Sequence, residues 1–285
     1  MYLRVTANKH YHHRYDGNME TIEQFLTWIT QDRTRSPHTI RRYREALTRL
    51  SHYCDPLTAD LTQIQNWWES IYHLSPATRA NELSAVRSFY AWALRFDLRA
   101  DNPTRRIDLP KVSRRLPRVV GRADFERLLG PATKDHPELR RAYALGGYGG
   151  LRVSEVAALD WKNIDMESRR MFVLGKGDKE RPVPINAILT DYLLPALDAG
   201  NVLWAGEHPA MSAAQLQRRI NRHMKSNGVD HTFHDLRKRG ASILLSKGAN
   251  PIAVQKMFGW ASLDTVMHYA AVGDSELDKI AALLD

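Results

Sequence analysis

Residues His234 to Tyr269 read HDLRKRGASILLSKGANPIAVQKMFGWASLDTVMHY. The apolar run Ile243, Leu244 and Leu245 gives way to Lys247, Gly248 and Asn250, and Pro251 opens a second apolar-periodic run. Glycine after one helix and proline at the first position of the next are stop and start signals, so the stretch predicts two helices joined by a turn. Its polar residues form a set. His234 and Arg237, three apart, share one face of a helix. Trp260 follows Gly259 at a helix end, and Tyr269 lies further on, flanked by His268 and Ala270. An imidazole, a guanidinium, an indole N–H and a phenol are suited to surround one phosphate group.

Two further motifs lie upstream: Gly150-Leu151-Arg152-Val153-Ser154-Glu155, and Gly175-Lys176-Gly177-Asp178-Lys179-Glu180-Arg181. With His234-Asp235-Leu236-Arg237 and Phe258-Gly259-Trp260 they make four boxes in a fixed order, and this order resembles the tyrosine recombinase, or phage integrase, family. The resemblance implies a set of roles. Tyr269 is the nucleophile that attacks a DNA phosphodiester and forms a 3′-phosphotyrosyl bond. Arg152 and Arg237 meet the charge on the non-bridging oxygens. His234 donates to the phosphate or accepts the tyrosine proton. Lys176, in preference to Lys179, protonates the leaving 5′-oxygen. Trp260 stands where many relatives carry histidine, its indole N–H replacing the imidazole donor, and Lys238 also departs from the common pattern. Glu155, one helical turn past Arg152, orients the basic site. The cations do work that metal ions do elsewhere, so no metal and no cofactor are expected.

Composition agrees with an anionic partner. The 285 residues carry 41 Lys+Arg against 32 Asp+Glu, a net charge of +9, and are 43% hydrophobic. This is enough chain for two packed domains. The single cysteine, Cys54, excludes an internal disulfide and a cysteine-based metal cluster. No apolar run reaches the length of a membrane span, and the N-terminus lacks the apolar core of a signal peptide, so a cytoplasmic, nucleoid-associated protein is expected.

In chain order, residues 1–17 read as an N-terminal tail with His10, His12 and His13 clustered, more in keeping with a tail that brushes DNA than with a metal site. Residues 18–103 read as a four-helix core-binding domain of the SAM-like type, with its first helix from Met19. Ser36-Pro37 and Ser75-Pro76 mark the starts of the second and fourth helices, and Asp60 with Gln63 forms a capping-box pattern for the third. Its Arg41, Arg42, Arg44, Arg79 and Arg87 are candidate phosphate contacts. Residues 104–118 read as a basic linker, kept extended by Pro103, Pro110 and Pro117, with Arg105, Arg106, Lys111, Arg114 and Arg115 as further DNA contacts. Residues 119–285 read as an α+β catalytic domain. It holds a small β-hairpin sheet between Met171 and Ile185 and ends in an amphipathic helix, Ser275–Leu284, that either caps its own core or docks on a neighbouring protomer. The overall expectation is a mainly α protein.

Since seventeen residues cannot form an arm-binding domain, the reading is a compact two-domain integrase. It would act as a homotetramer on two double-stranded DNA sites, with a directionality factor as a further partner and no membrane association, integrating or excising phage DNA. The Xer-like chromosome or plasmid dimer resolvase is the alternative, set second because of Trp260 and Lys238. A type IB topoisomerase and a non-catalytic DNA-binding regulator follow.

Overall fold

The structure, a computed structural model, describes residues 9–31, 36–111, 118–175, 180–196, 202–203 and 211–269, with residues 9–17 and 196 described by backbone alone. The chain divides into two compact units, Met1–Arg114 and Arg115–Asp285. Among the described residues no helix is long and apolar enough to cross a membrane.

The first unit contains four helices: α1 (Lys9–Gln31), α2 (Pro37–Ser51), α3 (Leu61–Ser70) and α4 (Pro76–Arg95). Three of their starts follow local chemistry. Ser36 and Ser75 accept the backbone N–H groups of Thr39 and Thr78, each followed by proline at the first helical position. Asp60 and Gln63 close a reciprocal capping box. Helix α4 carries buried residues on more than one side, among them Leu83, Val86, Phe89, Tyr90, Trp92 and Ala93, and packs chiefly on α2, with α1 and the Pro103–Arg106 turn also against it. Phe25 of α1 meets Phe89 edge-to-face at 5.5 Å between centroids and Trp92 at the same distance. Such pairs add about 0.5–1.5 kcal/mol beyond area burial.

Two boundaries differ from the sequence expectation. Helix α1 begins at Lys9, so residues 9–17 continue the first helix and are not tail. The stretch lacks proline, and its one glycine, Gly17, costs about 1 kcal/mol in a helix interior. That is too little to stop a helix whose later turns are anchored by buried Ile22, Phe25, Leu26 and Ile29. The expected extended linker also starts late. Pro103–Arg106 is a 3-10 turn capped by Asn102, and Ile107 is buried in the first core. Pro103 occupies the first position of this turn, where its missing N–H costs nothing. Arg114, Arg115 and the C-terminal helix expected over Ser275–Leu284 lie outside the described residues.

The second unit contains α5 (Arg122–Leu129), α6 (Pro137–Gly147), α7 (Val153–Ala158), β1 (Ile164–Asp165), β2 (Arg170–Leu174), β3 (Glu180–Pro184), α8 (Ala187–Leu193), α9 (Ala213–Ser226), α10 (Phe233–Ser246), α11 (Pro251–Phe258) and α12 (Leu263–Met267). The three strands form an antiparallel sheet in the order β1-β2-β3, with Met171 opposite Val183 and Leu174 opposite Glu180. Met171, Val173 and Val183 face the core, while Phe172 and Leu174 face outward, the alternation of a half-covered sheet. Helix α6 is buried along most of its length and packs against α10. The approach is close because Gly240 of α10 sits over the Gly147 carbonyl, where a Cβ would come within 2.5 Å of the oxygen.

Candidate active site

The site forms where α7, β3, α10 and α11 meet. Arg152 is the N-cap of α7, and Glu155 reaches back to it. The Arg152 backbone N–H donates to Glu155 Oε2 at 2.7 Å, and its Nη1 donates to Oε1 at 2.7 Å. An acidic group at a helix start is favoured by the helix dipole, so Glu155 is stabilised twice over.

Arg181, on β3, holds the same carboxylate from another side. Its Nη1 and Nη2 donate to Oε1 and Oε2, both at 2.9 Å, and its Nε donates to the Met257 carbonyl at 2.9 Å. Arg237 is the third guanidinium. It is 0% exposed, lies 3.5 Å from Glu155 Oε2, and donates to the carbonyls of Gly150 and Phe258. Its Nε is a buried donor without a hydrogen-bond partner among the described residues. Burial, followed by the charge of Arg152, lowers the Arg237 pKa to about 9. Glu155 would be raised by its burial, but the hydrogen bonds from Arg181 and Arg152 outweigh this and hold it below the usual carboxylate value.

One helix end organises all three arginines. The last carbonyls of a helix have no partner within it. At the end of α11 those of Met257, Phe258 and Gly259 accept from Arg181, Arg237 and Arg152 respectively, the last at 2.6 Å. Gly259 takes the left-handed conformation, φ 62°, and the Trp260 N–H returns to the Gln255 carbonyl at 3.1 Å, closing a Schellman-type end. A side chain at position 259 would also meet the Arg181 guanidinium at about 3 Å, so glycine is required there twice.

Trp260 leaves this turn and stacks on Tyr269, with centroids 5.2 Å apart and planes 24° from parallel. Tyr269 follows the short helix α12, its N–H donating to the Val266 carbonyl at 2.9 Å, and it is 8% exposed. Burial is the chief cause that raises its pKa, opposed by the charges of Lys238 and Arg237. His234 lies in the first turn of α10, one turn before Arg237, and is exposed. Its pKa is lowered, first by loss of water around the ring and then by the charges of Arg237 and Lys238. Lys238, the departure from the common pattern, pairs with Asp235 at 2.7 Å.

The structure therefore brings Arg152, Glu155, Arg237, Trp260, Tyr269 and His234 to one region. Lys176 falls in the connection between β2 and β3, at residues 176–179, outside the described residues. Arg181 is the residue that sequence reasoning passed over. It closes the Gly175–Arg181 motif, and that membership is its one signal in sequence; in the structure its side chain, on β3, is largely buried.

The candidate DNA contacts of the first unit sort differently. Arg42, Arg105, Arg106 and Lys111 are exposed. Arg41 pairs loosely with Glu45 at 3.9 Å, and Arg44 pairs with Glu23. Arg79 lies between the rings of Trp68 and Tyr72, at 4.6 and 4.1 Å, and Arg87 donates to the Ile107 carbonyl. The last two therefore hold protein structure as well as charge.

Comparison with known proteins identifies the family. Residues 120–276 match the model of the phage integrase family, and residues 22–96 match that of the phage integrase N-terminal SAM-like domain. The chain belongs to the phage integrase family. It is a tyrosine recombinase, an enzyme of site-specific DNA strand exchange. The chain is 33% identical over 275 residues to tyrosine recombinase XerC of Corynebacterium efficiens, covering 91% of this chain and 89% of that protein. It is 30% identical over 280 residues to XerC proteins of Escherichia coli, covering 91% and 94%. Its fold is similar to that of lambda integrase residues 75–356, solved as a dimer bound to a COC′ core site. That likeness has a TM-score of 0.75 at 16% identity and covers 89% of this chain and 95% of that one. The Tn1549 transposon integrase with circular intermediate DNA is likewise similar in fold, with a TM-score of 0.72 at 18% identity, covering 93% and 99%.

Proposed function

We propose that this recombinase cleaves and rejoins double-stranded DNA through Tyr269, and that its biological role is Xer-like resolution of chromosome or plasmid dimers. The observation that carries the chemistry is the convergence of Arg152, Arg237 and His234 beside the Trp260–Tyr269 stack. The Tyr269 oxygen bonds to the scissile phosphorus, the bond to the 5′-oxygen breaks, and the freed 5′-hydroxyl takes a proton from Lys176. The tyrosine proton passes to His234, which loss of water around the ring, and then the surrounding cations, keep neutral. Arg152 and Arg237 stabilise charge on the non-bridging oxygens, an effect of about 10²–10³ in rate per preorganised donor. Because the phosphotyrosyl bond keeps the energy of the phosphodiester, the reverse attack by a 5′-hydroxyl rejoins the strand without ATP.

The XerC relatives, similar along nearly the whole chain, support resolution ahead of phage integration. Two such cleavages on each of two sites call for four active protomers, so a homotetramer on two duplexes is the working assembly, with the exposed Arg42, Arg105, Arg106 and Lys111 contributing backbone contacts. Phage integration keeps one favouring observation, the departure from the usual histidines at Trp260 and Lys238.

Sequencing the DNA covalently attached to the protein in cells separates the two roles. Resolution predicts a chromosomal or plasmid locus unlinked to the protein's own gene. Attachment at junctions that flank that gene, with excision of the segment between them, would establish integration instead.

A further inference from the structure

We infer that Arg181 is a positioning residue for strand cleavage, one that sets the Arg152 guanidinium through Glu155; this deepens the reading above and rests on Arg152 contacting the scissile phosphate.

Three contacts define the role. Arg181 grips both oxygens of Glu155, and Glu155 in turn holds both the backbone N–H and the Nη1 of Arg152. The remaining donor, Nε, binds the Met257 carbonyl at the helix end whose Gly259 carbonyl receives Arg152 Nη2. Arg152 is thus held at two points, the carboxylate and the turn, and Arg181 ties those two points to each other. A planar fork can do this with one side chain; an ammonium cannot bind two carboxylate oxygens and a carbonyl in fixed directions. Charge balance points the same way. Arg152, Arg181 and Arg237 surround one carboxylate, leaving a net positive site for a phosphodiester. Among the described residues, Arg181 alone of the three has all its donor nitrogens engaged by protein, with its side chain 12% exposed, so it is spent on the scaffold and not on the substrate.

Arg181 is also the second residue of β3, the strand after the connection that carries Lys176, and pairs with Val173 across the hairpin. Loss of the clamp could therefore act through Arg152 or through the hairpin, and the substrate can distinguish these routes. A methylphosphonate replaces one charged non-bridging oxygen by a methyl group and reduces the need for a well-placed guanidinium. A 5′-phosphorothiolate supplies a leaving group that needs no proton, so it compensates for a displaced Lys176.

The experiment compares the full-length parent with R181K, R181Q and R152A, using a nicked duplex of a site recovered by covalent trapping. Site binding is measured by mobility shift, folding by circular dichroism and Tm, and covalent attachment in single turnover. R181K retains the charge and a single hydrogen bond, so it keeps the test open if R181Q does not fold. The expected result is a parent-like affinity and a cleavage rate lower by about 10²-fold on phosphodiester, the scale of a small misplacement of a catalytic group. That deficit shrinks on methylphosphonate, as it does for R152A, and persists on phosphorothiolate. An unchanged rate in R181K and R181Q, or an equal deficit on phosphodiester and methylphosphonate, overturns the inference. Rescue by phosphorothiolate alone overturns it in favour of the hairpin. If R152A itself cleaves normally, the reading of the site fails, and the inference fails with it for that separate reason.

Discussion

The Tyr269 ring lies nearly flat on the Trp260 indole, 5.2 Å between centroids, and Trp260 is placed by the same helix end that binds the three arginines. The proposed nucleophile and the guanidiniums proposed to bind the phosphate thus share one support. Gly259 turns the chain, its carbonyl fixes Arg152, and the next residue carries the surface on which the phenol rests. Trp260→Ala is expected to reduce single-turnover cleavage by about 10-fold to 10²-fold, the cost of letting a reacting group drift from its productive position. Site affinity should be unchanged. Trp260→Phe keeps a ring for the stack but removes the indole N–H, so comparing the two variants separates support from hydrogen bonding. A normal rate in Trp260→Ala would show that the stack has no part in catalysis.

His234 has a pKa below its ordinary 6.5, with desolvation and the charges of Arg237 and Lys238 pushing it down and Asp235 opposing them. The ring is therefore neutral near pH 7 and takes a proton only as the pH falls through that lowered value. A base that accepts the Tyr269 proton is lost in this step, so cleavage should decline on the acid side. In the protein without DNA, an NMR titration of His234 should give a midpoint below 6.5. Lys238→Ala should move that midpoint up, because a repelling cation is removed, and Asp235→Asn should move it down. Cleavage that increases as the pH falls would assign His234 to the imidazolium form and contradict its role as base.

Gly240→Ala tests the packing of α10 on α6. The added methyl would come within 2.5 Å of the Gly147 carbonyl oxygen, a backbone atom that cannot rotate away. Overpacking of this kind costs about 1–3 kcal/mol or more. For a unit of this size that corresponds to a Tm lower by roughly 2–4 °C per kcal/mol. Thermal unfolding followed by circular dichroism checks it, and an unchanged Tm would mean that the two helices part without cost.

Much of this was legible before any coordinates. Ser36-Pro37, Ser75-Pro76 and Asp60 with Gln63 mark helix starts because capping is local chemistry, and the short apolar run Met171–Leu174, followed by a glycine-rich charged turn, marks the first strand of a hairpin. Arg152, Arg237 and Trp260 stand out because each sits in a short box of recognisable residues, and Tyr269 because of its spacing from the last box. The start of α1 at Lys9 was not legible, since no cap or proline marks it and the stretch is helical only as an extension of a packed segment. Three prolines in the sequence predict an extended strap, whereas Pro103–Arg106 forms a turn because Ile107 is drawn into the first core. The role of Arg181 was hidden for a different reason. Its partners are Glu155, 26 residues earlier, and the Met257 carbonyl, 76 residues later, and a backbone carbonyl has no signature in sequence.

Arg237 lies fully buried among the Gly150 and Phe258 carbonyls, close to Glu155. Arg237→Ala leaves those groups unsatisfied as well as removing a charge from the site. It should reduce cleavage by at least about 10²-fold and also lower the Tm, since an unmet buried acceptor costs about 1–3 kcal/mol. Arg152→Ala, removing a more exposed side chain, should match the loss of rate with a smaller loss of stability. Equal stability losses, measured by thermal unfolding, would contradict the difference in burial that separates the two arginines.

The most direct test is covalent trapping. A nicked duplex carrying the recombination site, labelled so that the 3′-phosphoryl side stays with the protein, is incubated with the parent and with Tyr269→Phe in EDTA and resolved on a denaturing gel. The account predicts a DNA-linked protein band for the parent and none for Tyr269→Phe, with both proteins binding the duplex equally in a mobility shift. A band that survives in Tyr269→Phe would contradict the assignment of Tyr269 as the nucleophile.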